Sequence, residues 1–279
     1  MTWKLRYAPH LGIRTTEKPL FRHSVGSTDP IEQLHFIAEQ GFAGVEDNFA
    51  VTRPPEVLDR MGHELVRLGL EMGSIGNVGK SLFEPMWGLP GKEVRERLAA
   101  ELDLTIAAAK RLGGRYINVF GARDPALPLG YQFANFTEHL RHLAQAADKV
   151  GMVIVLEQVS AQQLPGMLIQ DIADLYAIVT AVNAPSVRIL FDSVHCQSAG
   201  GNLTRSLEMC WDKLALVQIA DVPGRGEPGT GEINFPYVLR QLRDRGYAGL
   251  VELEFHPSLP GKDGEQAALA RLRAIDAGI

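Results

Sequence analysis

Along these 279 residues, short apolar runs of strand character alternate eight times with amphipathic helical patterns, and few folds accommodate that rhythm. Strands are predicted over 3–7, 44–46, 72–75, 116–120, 152–156, 187–191, 214–219 and 250–255. Between them, helices carry their own start and stop signals. Asp29-Pro30-Ile31-Glu32 reads as an N-cap, a proline at the first helical position and an early acid. Pro55–Leu68 keeps Val57, Leu58, Met61, Leu65 and Leu68 near the 3.6 period, and Lys92–Leu112 closes on Gly113-Gly114. Further helices are expected over 133–150, 168–182, 203–211, 237–245 (after the N-cap Asn234) and 264–277. Eight βα units in a chain of this length give an α/β protein with a (β/α)8 TIM barrel, residues 1–279 forming one domain. An open doubly wound sheet would place a glycine fingerprint after its first strand, and none is there.

Composition excludes several function classes. Net charge is −5 with no block of Lys and Arg, so nucleic acid finds no electrostatic footprint. No apolar run approaches the roughly 18 residues that a membrane span needs, and the N-terminus lacks an apolar leader. A cytoplasmic address is the default expectation. Cys196 and Cys210 are too few for a disulfide framework and lack zinc spacing. The long segment 76–91, with Phe83, Met86 and Trp87, suggests a lid, a contact in a homo-oligomer, or plain packing.

Chemistry concentrates at the ends of the last four strands, which finish in Glu157, Asp192, Gln218 and Glu254. Their separations of 35, 26 and 36 residues are each about one βα unit, so a barrel brings all four to one rim. Three carboxylates held that close repel one another unless a cation lies between them. An all-oxygen set favours a hard divalent ion, Mg²⁺ or Mn²⁺. Glu252 shares a strand face with Glu254, and pattern alone does not choose between them. Asn118 and Glu46 are candidates to support these groups. His10 reads as a loop residue with an ordinary hydrogen bond, His139 and His142 as solvated residues on an outer helix, and Trp3, Phe36 and Phe120 as core.

The run Gln218–Phe235, Q-I-A-D-V-P-G-R-G-E-P-G-T-G-E-I-N-F, resembles the signature of the hydroxypyruvate isomerase family of xylose-isomerase-like barrels. Glu254–Pro257 (E-F-H-P), Asp192–His195 (D-S-V-H) and Leu156–Val159 (L-E-Q-V) are similar to three weaker motifs of that group. The resemblance is clearest from about residue 150 onward. It implies a metal held by Glu157, Asp192, Gln218 and Glu254, which selects Glu254 over Glu252. It also implies catalysis by Glu157 and Glu254, with His195 and Arg225 binding a small sugar-acid substrate. The reaction would turn hydroxypyruvate into tartronate semialdehyde through an enediolate, within carbohydrate and glyoxylate metabolism. His256 and Phe255 depart from the family pattern and bear on which substrate fits. Competing expectations are an isomerase of a larger 2-oxo sugar acid, a ketose 3-epimerase, a phosphodiesterase of the AP-endonuclease type and a non-catalytic sugar-acid binder. Gln218 argues against the epimerase, where His is usual, and the charge argues against the DNA enzyme. The paired glutamates argue against the binder.

Overall fold

The structure, a computed structural model, describes residues 2–279. Its strands are β1 (Arg6–Pro9), β2 (Gly44–Val45), β3 (Glu71–Met72), β4 (Ser74–Gly76), β5 (Tyr116–Val119), β6 (Val153–Glu157), β7 (Val187–Asp192), β8 (Leu214–Ile219) and β9 (Leu250–Leu253). All pair in parallel, in the order β1-β9-β8-β7-β6-β5-β4, with β2-β3 as a second ladder. Gly73 separates β3 from β4 within what is otherwise one strand, and its N–H donates to the Val45 carbonyl at 2.7 Å. The His10–Glu46 bridge joins β1 to β2 and closes the cylinder. The eight-stranded parallel barrel expected from the alternation is therefore present.

Side chains inside the barrel stack in layers because every second residue of a strand faces the axis. Ala8, Tyr116, Val155, Leu190, Leu216 and Leu250 form a buried apolar plug. Two residues further along the same strands come His10, Asn118, Glu157, Asp192, Gln218 and Glu252, all buried. An apolar floor beneath a polar layer is thus written into the two-residue step of each strand.

The helices surround this cylinder: α1 (Arg22–Val25), α2 (Pro30–Glu39), α3 (Pro55–Leu68), α4 (Lys92–Leu112), α5 (Leu129–Lys149), α6 (Ile172–Val182), α7 (Ser193–Ala199), α8 (Leu203–Cys210), α9 (Phe235–Asp244) and α10 (Gly261–Gly278). Asp29 caps α2 by accepting from the Ile31 N–H at 2.8 Å. Asn234 caps α9 through the Tyr237 N–H. Among the described residues no helix is long and apolar enough to cross a membrane.

Several boundaries differ from the sequence expectation. The first strand starts at Arg6, since Trp3 stacks on Phe42 and donates to the Gln40 carbonyl instead. The helix expected from Leu168 starts at Ile172, because Leu168 N–H donates to Gly121 O and Ile169 O accepts from Val159 N–H. Asp171 then caps it through the Ala173 N–H at 2.7 Å. The short α7 was not anticipated. His139 is buried rather than solvated, its Nε2 lying 2.7 Å from the Leu89 carbonyl, and burial lowers its pKa.

One contact in the helical shell permits no side chain. A methyl group on Gly62 of α3 would lie 1.9 Å from the Arg111 carbonyl oxygen of α4. Gly62→Ala is expected to lower stability by about 1–3 kcal/mol, read as a reduced urea midpoint at unchanged m-value.

Candidate active site

A cleft of about 600 Å³ opens at the carboxyl end of the barrel. Its floor carries Asn118, Glu157, His195, Arg225 and Glu254, and its walls carry Phe49, Val78, Leu82, Phe83, Phe120 and Leu164. Asn118, Glu157 and Glu254 come from strands or their ends, His195 from α7 and Arg225 from the loop after β8, while the apolar groups come from the loops after β2, β4, β5 and β6. Phe120, expected in the core, is half-buried and lines this wall. The loop 76–91 divides its residues: Met86 and Trp87 pack in the core, whereas Phe83 is 65% exposed on the cleft.

Carboxylates crowd this floor. Glu157, Asp192 and His195 offer ligand atoms all within 4.8 Å of one another. Burial, and then repulsion from Glu254 and Asp192, holds the Glu157 carboxyl well above the ordinary range. Glu254 is raised to about 7 by burial first, with Arg225 pulling it down and Asp192 and Glu252 pushing it up. Each acid has an amide beside it: Asn118 Nδ2 donates to Glu157 Oε2 at 2.7 Å, and Asn48 Nδ2 to Glu254 Oε1 at 2.9 Å.

Arg14 also lines the cleft, and Arg225 is the cation that pairs with these acids. Its Nη2 donates to Asp192 Oδ2 at 3.1 Å and to Glu254 Oε2, while its Nε is buried without a partner. Burial opposes its charge, but Glu254, Asp192, Glu157 and Glu46 outweigh that cost and keep the guanidinium protonated. Expected to hold a substrate carboxylate, Arg225 here pairs with two acids of the protein itself.

His195 stands against the same group. The Ser160 N–H donates to its Nδ1 at 3.2 Å, and Arg225 Nη1 stands 3.4 Å from its Nε2. The same Nε2 lies 3.4 Å from Glu157 Oε1 and 3.6 Å from Asp192 Oδ2. Burial lowers the imidazole pKa to about 4, aided by Arg225 and opposed by Asp192, which leaves the ring neutral at pH 7.

Arg225 is delivered by the Gly-rich loop after β8, and a buried acid shapes that loop. Asp221 accepts from the N–H groups of Val222 (3.0 Å), Gly229 (2.9 Å), Gly231 (2.8 Å) and Ile233 (3.0 Å). The spacing Gly224-x-Gly226-x-x-Gly229 matches a dinucleotide fingerprint, yet Gly229 turns its N–H to Asp221 rather than to a phosphate. Buried Glu227 ties the loop to the segment after β9, accepting from the Ser258 N–H at 2.7 Å and Oγ at 2.8 Å.

Gln218 and Glu252 are fully buried and do not line the cleft. Gln218 Nε2 donates to Glu252 Oε2 at 3.0 Å, and its Oε1 is buried with no partner. A buried amide carbonyl with no donor is costly to leave alone. Gln218 is the register partner of Asp192 on the neighbouring strand, so this oxygen together with the carboxylates of the floor is a donor set that fits a metal of the Mg²⁺ or Mn²⁺ kind. Glu46 is fully buried, and burial followed by Glu252 and Glu254 raises its pKa well above normal. His10 sits away from the cleft floor with Nε2 3.0 Å from the Phe255 carbonyl. Cys196 and Cys210 are buried, and burial pushes their thiols up to about 11 and 12.

Sequence reasoning overlooked Asn48 and Ser160 as partners of Glu254 and His195. Asn48 sits at the end of the second strand, where a polar residue in a barrel is a signal; nothing local marks Ser160.

A family model described as "Xylose isomerase-like TIM barrel" matches residues 34–275. The chain is similar to a hydroxypyruvate isomerase from Escherichia coli, with 29% identity over 86% of this chain and 92% of the other. It is similar to a 2-oxo-tetronate isomerase from Haemophilus influenzae, also 29% identical, over 81% and 88% of the two chains. Among solved structures, an AP endonuclease, family 2, from Brucella melitensis superposes with a TM-score of 0.79 and 27% identity, covering 96% of this chain and 98% of that one.

The acidic floor makes stability depend on pH. Glu254 has a folded pKa raised from 4.5 to about 7, so the native state holds its proton more tightly than the unfolded chain. Its contribution is full below the unfolded pKa and is lost as pH rises through about 7. Denaturation in EDTA should therefore show stability falling between pH 5 and pH 8, by roughly 3 kcal/mol from this group alone. Glu254→Gln is expected to flatten that slope.

Proposed function

Because the chain belongs to the xylose isomerase-like TIM barrel family, we propose that it is a metal-dependent aldose–ketose isomerase of the hydroxypyruvate isomerase type. The substrate is a small 2-oxo or hydroxy acid, with hydroxypyruvate and tartronate semialdehyde as the first pair to consider. The observation that carries this reading is the convergence of Glu157, Asp192 and Glu254, with the unpartnered Gln218 carbonyl on the strand next to Asp192. The names of the two relatives, both isomerases of short oxo acids, support it.

Glu157, Asp192, Gln218 and Glu254 would hold the ion, and His195 would lie beside it. A bound Mg²⁺ or Mn²⁺ supplies Lewis-acid polarisation of a carbonyl and its neighbouring hydroxyl. The residues of the chain do the rest. One of Glu157 and Glu254 removes the proton from the carbon next to the carbonyl, giving an enediolate, and the other returns a proton to the adjacent carbon. A carboxyl poised near pH 7, as Glu254 is, serves in either direction. The imidazole of His195 hydrogen-bonds a substrate oxygen. Arg225 has a free buried Nε–H for the substrate carboxylate and steadies the two acids it touches. The apolar walls limit water around the enediolate.

The cleft volume favours a second reading within the same chemistry. At about 600 Å³ the cleft has more room than a three-carbon acid fills, which suits a larger 2-oxo sugar acid such as a 2-oxo-tetronate.

The test is turnover by EDTA-stripped protein, with and without Mg²⁺ or Mn²⁺, on hydroxypyruvate and on a 2-oxo-tetronate. Metal-restored isomerisation, with deuterium from D₂O entering at the reacting carbon, is expected. Metal binding with no turnover of either acid would overturn the substrate class, and unaltered activity without metal would overturn the site. Glu157→Gln and Glu254→Gln should each keep the native circular dichroism and lose at least 10²–10⁴-fold in kcat. Undiminished kcat in either variant removes that residue from the proton transfer.

A further inference from the structure

Glu252 is a buried acid that the proposed chemistry leaves without a task. It precedes Glu254 by two residues on the same face of β9 and is fully buried below the cleft. Three donors converge on it: the Ser74 N–H reaches Oε1 at 2.6 Å, and Oε2 accepts from Ser74 Oγ at 2.8 Å and Gln218 Nε2 at 3.0 Å. Ser74 belongs to β4 and Gln218 to β8, so this one carboxyl ties strands on opposite sides of the barrel.

Space for the carboxyl is built into the backbone. Gly73, between β3 and β4, has no side chain; a methyl group there would lie 2.3 Å from Glu252 Oε1 and 3.1 Å from the Val45 carbonyl. Any other residue at 73 would push Glu252 off its partners.

The consequence falls on Gln218. Its two amide ends have nearly the same shape but opposite hydrogen-bonding character. With Ser74 donating to both of its oxygens, Glu252 acts as the acceptor, so it draws the NH₂ end of Gln218 toward itself. Glu46 Oε2 adds a second, longer contact of 3.5 Å to that nitrogen. The Gln218 carbonyl is thereby turned the other way, and it is the end left buried and unpartnered. Rotation of the amide by half a turn would instead present NH₂, which cannot ligate a cation.

We propose that Glu252 is a positioning residue, anchored by Ser74 and Gly73, that fixes the Gln218 amide nitrogen so that its carbonyl oxygen faces a divalent cation. This inference rests on the metal reading above. The ion is ligated by other groups, and Glu252 acts through Gln218.

The experiment measures Mn²⁺ affinity by calorimetry on EDTA-stripped wild type, on Glu252→Gln, and on the swap Glu252→Gln with Gln218→Glu. Glu252→Gln keeps the side-chain volume, but its amide can donate to Gln218 and lets that amide invert. Mn²⁺ binding should weaken 10–100-fold, the range for losing an outer partner of a ligand. In the swap, the carboxylate introduced at 218 offers oxygen whichever way it turns, and the amide introduced at 252 donates to it. Affinity should then return to within a few-fold of wild type.

A metal-free readout accompanies it. In ¹⁵N spectra of the apo protein, the Gln218 side-chain NH₂ pair, assigned by its loss in Gln218→Glu, should be protected from solvent exchange. That protection should be lost in Glu252→Gln. If wild type binds Mn²⁺ and Glu252→Gln binds it as tightly, the positioning role is overturned and the metal site stands. If the swap stays as weak as Glu252→Gln although it restores the net charge of the pair, the loss does not arise from the orientation of the Gln218 amide and the positioning role is again overturned. If wild type binds no Mn²⁺, the metal reading itself fails, and the positioning role with it.

Discussion

Everything at the carboxyl end of this barrel depends on how buried negative charge is compensated. Glu46, Glu157, Asp192, Glu252 and Glu254 are all buried at the carboxyl end of the barrel, above an apolar plug. Burial raises the pKa of Glu46, Glu157, Glu252 and Glu254, and neighbouring acids add repulsion at Glu46, Glu157 and Glu254. The guanidinium of Arg225 between Asp192 and Glu254 relieves part of that strain. Delivering it takes a complete loop. Arg225 itself sits at φ +50°, a left-handed conformation that costs a non-glycine residue about 1–2 kcal/mol. Its carbonyl accepts from the His256 N–H at 2.9 Å, and the Asp221–Gly226 bridge holds the turn around it. Four backbone N–H groups on Asp221 and two donors from Ser258 on Glu227 fix the rest. One cation is well served by this architecture, yet five acids outnumber it.

The barrel and the rim acids could be read from the chain because both follow from short-range periodicity. A two-residue step aims side chains into the barrel, and a unit of about 30 residues returns the chain to the same rim. Glu157, Asp192 and Glu254 therefore declare themselves by lying at strand ends. Helix limits were legible where caps are strong: Pro55–Leu68 and Lys92–Leu112 are found with the expected bounds, each closed by a left-handed glycine.

Pairing across the barrel was not legible, because it depends on which side chains meet rather than on spacing. Arg225 could be marked as a binding residue from its loop, but nothing local shows it bound to Asp192 and Glu254. His139 looked solvated on an outer helix, yet the loop bearing Leu89 folds over it and supplies its partner. The short α7 begins because Asp192, at the end of β7, also accepts from the N–H of Val194 at 2.6 Å. One residue serving as strand end, helix cap and site acid leaves no turn signal in the sequence.

Glu252 and Glu254 show how one strand can divide its labour. They are the same residue type on the same face, two positions apart, and roughly 7 Å separates such positions along a strand. That step is the difference between a closed layer, where Ser74 and Gln218 saturate a carboxyl, and the open cleft, where Asn48 and Arg225 leave one within reach of a ligand. The acids thus come from rigid strand ends, while the apolar walls come from loops carrying Phe49, Val78, Phe83 and Leu164. Loops change length and sequence at little cost to the barrel. The acids of the floor can therefore stay in register while the cleft above them is recut for acids of different length.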